Sequence, residues 1–146
     1  IRINLNSQKS PGITIFEINE IDSNIMTFDI LFNNLVILLS GKIAEEIFLN
    51  NSLSTGASKD LEEAYKLAHN MVLKYGMSER LFSSINSDII KYQFDNEIQN
   101  LLQRAIDKSK NILNEHLNKK LVNEMTLYIK KNNGIDRDQF KKFFNQ

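Results

Sequence analysis

The chain has 146 residues, 42% of them hydrophobic and 25% charged, the balance of one soluble globular domain long enough to bury a core. Eighteen basic residues balance eighteen acidic ones, so no whole-chain field draws the protein onto nucleic acid, and the lack of cysteine excludes disulfides and thiolate ligands or nucleophiles. The longest purely apolar run, residues 35–39, is far short of the roughly 18 residues of a membrane span.

One proline, five glycines and long stretches of 3.6-residue period predict a mainly α-helical chain. The exception is a small N-terminal β element within residues 1–20. There Ile1-Arg2-Ile3-Asn4-Leu5 alternates, Ile13-Thr14-Ile15-Phe16-Glu17-Ile18 nearly does, and Ser10-Pro11-Gly12 is a turn signal. No other strands are expected. The first residue is isoleucine and no signal-like segment precedes the fold, which reads as an internal or processed piece of a longer protein.

From about 26 to 49, Phe28, Leu31, Phe32, Leu35, Leu38, Leu39, Ile43 and Ile47 recur at helical spacing, and so apolar a helix belongs at the centre of the domain. A second helix is expected over 60–75, with Leu61, Ala64, Leu67, Ala68, Met71, Val72 and Tyr75 as its buried stripe and Gly76 as its left-handed stop. After a loop through 83–87, an amphipathic stretch carries Ile98, Leu101, Leu102, Ala105, Ile106, Ile112, Leu113 and Leu117. A further one carries Leu121, Val122, Met125 and Ile129. Asn133-Gly134 is a turn, and Asp136 opens a short terminal helix with Phe140, Phe143 and Phe144 inward. Residues 1–97 hold eight basic and thirteen acidic side chains and residues 98–146 ten and five. No aromatic residues interleave with the lysines, so this basic half reads as a solvated helical face.

The loop Ser54-Thr55-Gly56-Ala57-Ser58-Lys59-Asp60-Leu61 is the most informative stretch. Gly56 permits a tight turn, Ser58 is placed to cap the next helix, and Asp60, Glu62 and Glu63 set negative charge against its positive end. An ordinary capped helix start accounts for these features. Asp60, however, shares a helical line with Ala64, Leu67 and Met71, so its carboxylate heads the buried stripe and needs backbone amides, a cation or a metal ion as partner. Glu46 likewise follows Leu39 and Ile43 along an apolar stripe. It is a candidate acceptor orienting a site residue, or a surface group paired with a lysine, whereas Glu45 is spaced to pair with Lys42.

Gly41-Lys42-Ile43-Ala44-Glu45-Glu46, the Ser54 to Leu61 loop, Ala64, Ala68, Met71-Val72 and Gly76-Met77-Ser78 resemble, in order and spacing, the peptidase domain of FtsH-type ATP-dependent zinc metalloproteases. The specific block runs from about 31 to 81. The stretch 94–127 and Gly134-Ile135-Asp136-Arg137-Asp138-Gln139-Phe140 resemble the family's C-terminal helices and closing segment. On this resemblance residues 1–146 are one FtsH-like peptidase domain: a β element (1–20), core helices with the metal-aspartate loop (26–81), and C-terminal helices (94–146). The resemblance implies a homo- or hetero-hexameric ring in which ATPases feed unfolded or membrane proteins to zinc peptidases. It also implies association with a bacterial inner membrane or an organellar membrane, this domain lying on a soluble face.

In that family two histidines of a His-Glu-x-x-His helix and one aspartate hold zinc, and the aspartate falls on Asp60. No His-Glu-x-x-His occurs among these residues. His69 lies nine residues after Asp60, on the opposite side of the same helix, and His116 sits among Asn114, Glu115 and Asn118; both read as surface histidines. The isolated chain is therefore expected neither to bind zinc nor to cleave peptides, with no catalytic residue of its own. Nor is there a Gly-x-x-x-x-Gly-Lys-Ser/Thr loop, so ATP would act only through another domain or subunit. Two readings follow: a fragment of an active protease, or a degenerate member serving as an inactive structural or assembly subunit. Lys59 in place of the family's usual asparagine, Tyr65 where a smaller residue is common, and a short segment between Ser78 and Phe94 favour the second. The retained Gly56, Ala57 and Asp60 favour the first.

Overall fold

A computed structural model describes residues 2–4, 13–15, 25–49, 54–78 and 88–144. The predicted turn at 10–12, the alternation over 16–18 and the loop at 83–87 lie outside them. The chain divides into two compact units, residues 25–116 and residues 1–24 with 117–146.

The larger unit consists of three helices, α1 (Phe28–Phe48), α2 (Ser58–Leu73) and α3 (Asp88–His116). Thr27 caps α1 by accepting from the Ile30 N–H at 3.4 Å. Leu31, Leu35, Val36, Leu39 and Ile43 form the buried face of α1, which packs on both other helices and is the core helix its composition predicts. Only one face is buried, since Ile37 is 48% exposed. From α2 come Ala64, Ala68, Met71 and Val72, the two alanines fully buried because a small side chain lets the backbones approach. From α3 come Ile98, Leu101 and Ala105, with Ser109 continuing the same line.

The edge between α1 and α3 is covered by cations. The Arg104 guanidinium lies 5.4 Å from the Phe32 ring centre, and the Lys108 ammonium, 5.4 Å from the same ring, also donates to Asn33 Oδ1 at 2.9 Å. Beyond α2, Gly76 adopts φ +63° as predicted, which lets the Met77 N–H reach the Met71 carbonyl at 2.9 Å, and the Ser78 hydroxyl donates to the Glu97 carboxylate on α3.

Expectations for the helices of this unit are corrected at several places. Leu61 and Tyr75 do not belong to the buried stripe of α2; they are 40% and 48% exposed, because the packed face spans Ala64 to Val72 and the helix ends project past it. Asp60 is exposed for the same reason. Finally, α3 begins at Asp88, well before 94, where Ile89-Ile90 and Tyr92 hide the helical period behind β-branched and aromatic residues.

The smaller unit holds a three-stranded antiparallel sheet of order β2-β1-β3, with β1 (Arg2–Asn4) central, β2 (Ile13–Ile15) on one side and β3 (Gly134–Ile135) on the other. Arg2 faces Ile15, Ile3 faces both Thr14 and Ile135, and Asn4 faces Ile13 and Gly134. Strands are thus not confined to the N-terminal element. Asn133, at φ 55°, ends α4 (Lys119–Asn132) in the left-handed region and turns the chain into β3. Asn118 caps α4, and Asp136 and Gln139 form a reciprocal capping box at the start of α5 (Arg137–Lys142). Leu121, Val122, Met125 and Ile129 are half-buried, and the Tyr128 ring meets Phe143 edge-on at 5.7 Å. Phe144 is 41% exposed rather than inward, lying beyond the last turn of α5. Among the described residues no helix is long and apolar enough to cross a membrane.

Candidate functional site

The segment between α1 and α2 is built from short-range bonds. The Ser54 hydroxyl accepts from the Gly56 N–H at 3.1 Å, and the Thr55 carbonyl accepts from the Ser58 N–H at 3.1 Å. A Cβ added at Gly56 would stand 3.2 Å from Ser54 Oγ, so a side chain there would make the hydroxyl give by a few tenths of an ångström. The structure changes the reading of Ser58. The residue at the N-cap is Ala57, with no side-chain cap, and Ser58 is the first residue inside α2. The Ala57 carbonyl accepts from Leu61 N–H at 3.0 Å, which starts the helix and places Asp60 in its first turn.

On α1, Glu45 pairs with the Lys42 ammonium at 3.0 Å. Nearby Ser54 first, then the Lys42 ammonium, hold the Glu45 carboxyl below its ordinary 4.5. The expected Lys42 to Glu45 pair is present, and its side chains are 16% and 15% exposed, against 55% and 66% for the open Lys66 to Glu62 pair on α2. Glu46 is half-buried on α1.

His69 is exposed on α2, its ring 6.3 Å from that of Tyr65, itself 47% exposed. The bulk of Tyr65 therefore costs the core nothing. His116 ends α3, exposed, with Nε2 3.9 Å from the Glu115 carboxylate. Among the described residues no three histidine, aspartate or glutamate side chains converge to hold a metal ion. Asp60 offers one solvent-facing carboxylate, and by themselves these residues do not fit a tetrahedral zinc site, which takes at least three protein ligands.

The profile of Peptidase family M41 matches residues 7–87, which include all of α1, the turn and α2. The chain is similar to the ATP-dependent zinc metalloprotease FtsH of Acidobacterium capsulatum, with 31% identity over 150 residues, covering 89% of this chain and 22% of that protein. Its similarity to the Bacillus subtilis protein of the same name is 33% over 131 residues, 76% of this chain and 20% of the relative. A chloroplastic FTSH of Medicago sativa is 23% identical over 158 residues, 91% of this chain and 22% of its own. The chain spans about a fifth of the length of these relatives.

Proposed function

The chain belongs to Peptidase family M41, and from that membership we propose that it is the FtsH-type peptidase domain of an ATP-dependent zinc metalloprotease, its residues 1–146 working as one domain. Asp60 is the metal ligand this domain contributes. The observation that carries the assignment is its placement: in the first turn of α2, inside the family-matched segment, solvent-facing and preceded by the Ser54 to Ser58 turn. The other protein ligands and the general base come from outside these 146 residues, which contain no His-Glu-x-x-His. ATP dependence, the hexameric ring, membrane association, and unfolded or membrane proteins as substrates belong to the same proposal, and rest on the relatives' names and the resemblance.

The test is Asp60→Asn in the full open reading frame. Degradation of an unfolded protein such as casein should collapse while the assembly keeps its mass, because a neutral amide is a far poorer zinc ligand than a carboxylate. Proteolysis at the wild-type rate would overturn the ligand role. A second reading, an inactive assembly subunit, is favoured by the separation of His69, His116 and Asp60 from any common metal-binding group. A full open reading frame without His-Glu-x-x-His would decide for it.

A further inference from the structure

We propose that the cleft where Phe28 of α1 meets Arg104 of α3 binds the carboxyl-terminal residue of a peptide, the apolar side chain entering the cleft and the carboxylate pairing with Arg104. The inference goes beyond the peptidase reading given above and rests on it only for the source of the ligand, since every hydrolysed peptide bond leaves a new carboxyl terminus.

The cleft lies wholly within the larger unit and encloses about 130 Å³. Phe28, Val72, Met77 and Leu101 form its apolar wall, and Glu97, Asn100 and Arg104, on one side of α3, form its polar rim. An apolar cavity of about 150 Å³ holds one benzene, so this volume suits a single apolar side chain and not a long acyl chain.

The two ends of the rim differ. At one end the Glu97 carboxylate accepts from the Ser78 hydroxyl. At the other the Arg104 guanidinium stands 5.9 Å from the Phe28 ring centre and 5.4 Å from that of Phe32, two rings stacked 5.8 Å apart and 10° from parallel. Attraction to the rings fixes this cation without a hydrogen-bond acceptor, and a guanidinium so placed receives a carboxylate through two parallel N–H bonds. The Lys108 ammonium stands 5.4 Å from the Phe32 ring centre as well. Two cations thus share one ring, and among the described residues neither has an ion-pair partner. Lys108 donates to the neutral Asn33 oxygen, and Asp107 beside it accepts from Gln103 at 2.9 Å.

An anion complements that end of the cleft, and its apolar wall selects among anions. Phosphate would meet Arg104 and leave Phe28, Val72 and Leu101 uncovered. A peptide terminus brings the carboxylate, an apolar side chain and a backbone amide within one residue, and the side-chain amide of Asn100, exposed on the rim, both donates to and accepts from such a backbone.

The test titrates the nitrogen-labelled 146-residue chain with acetyl-Ala-Ala-Ala-Leu carrying a free carboxyl end, with its carboxamide, with octanoate and with inorganic phosphate, each to millimolar concentration. The free acid should shift the amides of Met77, Asn100 and Leu101, and the carboxamide should bind about tenfold more weakly, because it loses the charged pair. Arg104→Met should weaken the free acid by a similar factor and leave the carboxamide unchanged, with Arg104→Lys between the two, since it keeps the charge and loses the fork. Equal binding of acid and carboxamide, or no shift at the cleft with either, overturns the proposal. So does octanoate or phosphate shifting the same amides more strongly than the peptide acid, which would make the site one for another anion. Should Arg104→Met unfold, the acid and carboxamide comparison on the unaltered chain decides. None of these readouts uses proteolysis, so failure here is distinct from failure of the Asp60 assignment, which Asp60→Asn in the full open reading frame reports.

Discussion

Across the contact of α1 and α3, the Ser109 hydroxyl donates to Ser40 Oγ at 3.1 Å, and Ser40 in turn donates to the Val36 carbonyl. Ser109 is 1% exposed, so its proton has no water to turn to. Ser109→Ala removes a donor and its need together and should cost about 1 kcal/mol, whereas Ser40→Ala strands a buried hydroxyl and should cost about 1–3 kcal/mol. Urea unfolding of the two single variants and the double one checks this, the double costing less than the sum.

The packed middle of α2 and its exposed first turn should respond differently. Ala68 is fully buried, so Ala68→Leu overpacks the core and should cost about 1–3 kcal/mol. Leu61→Ala, on the exposed first turn, should stay within about 0.5 kcal/mol. Thermal unfolding ranks the two, and the reverse order would contradict the placement of the stripe.

Glu45 contributes a stabilisation that acid removes. Its folded pKa lies below the ordinary 4.5, so the stabilisation it supplies is complete above that value and is lost as pH falls through the folded pKa. Lys66, raised above 10.5 by Glu62, behaves in the opposite sense: its pairing is complete below 10.5 and is lost as pH rises through the folded value. An NMR titration should show the Glu45 side-chain carboxyl titrating below 4.5 and the Lys66 side chain titrating above 10.5.

Two left-handed residues make a matched test. Gly76→Ala, at φ +63°, has open space for a methyl group but the wrong backbone, and should cost about 1 kcal/mol. Asn133→Gly, at φ 55°, should be neutral or slightly stabilising, whereas Asn133→Val should cost about 1–2 kcal/mol. Denaturant midpoints at unchanged slope are the measurement.

The helices were legible because their stripes are periodic: Leu31, Leu35, Leu39 and Ile43 on α1 and Ala64, Ala68, Met71 on α2 are buried where spacing places them. Extrapolating a stripe past the packed region failed at Asp60, Leu61 and Tyr75, since period says nothing about where a neighbouring helix ends. The strand Gly134–Ile135 was missed because two residues carry no alternation; they are a strand only because β1 lies beside them. At the site, the ordered motifs around Glu45 and Gly56 were readable, but the N-cap fell on Ala57 rather than Ser58, because the turn closed by the Thr55 carbonyl and the Ser58 N–H leaves no signature in residue type.

The pairing of Ile3 with both Thr14 and Ile135 bears on how the protein is made. The β1 to β2 hairpin closes a short loop, and the three packed helices of the larger unit need only residues 25–116. The other edge of β1 cannot be filled until the chain through Ile135 has left the ribosome, and closing so long a loop is slow. Until then β1 presents an open edge to any other extended polypeptide, the geometry from which strand exchange and aggregation start. For this fold the interval between the first strand and the last is a vulnerability of biosynthesis, shortened by faster translation and lengthened by any pause before Gly134.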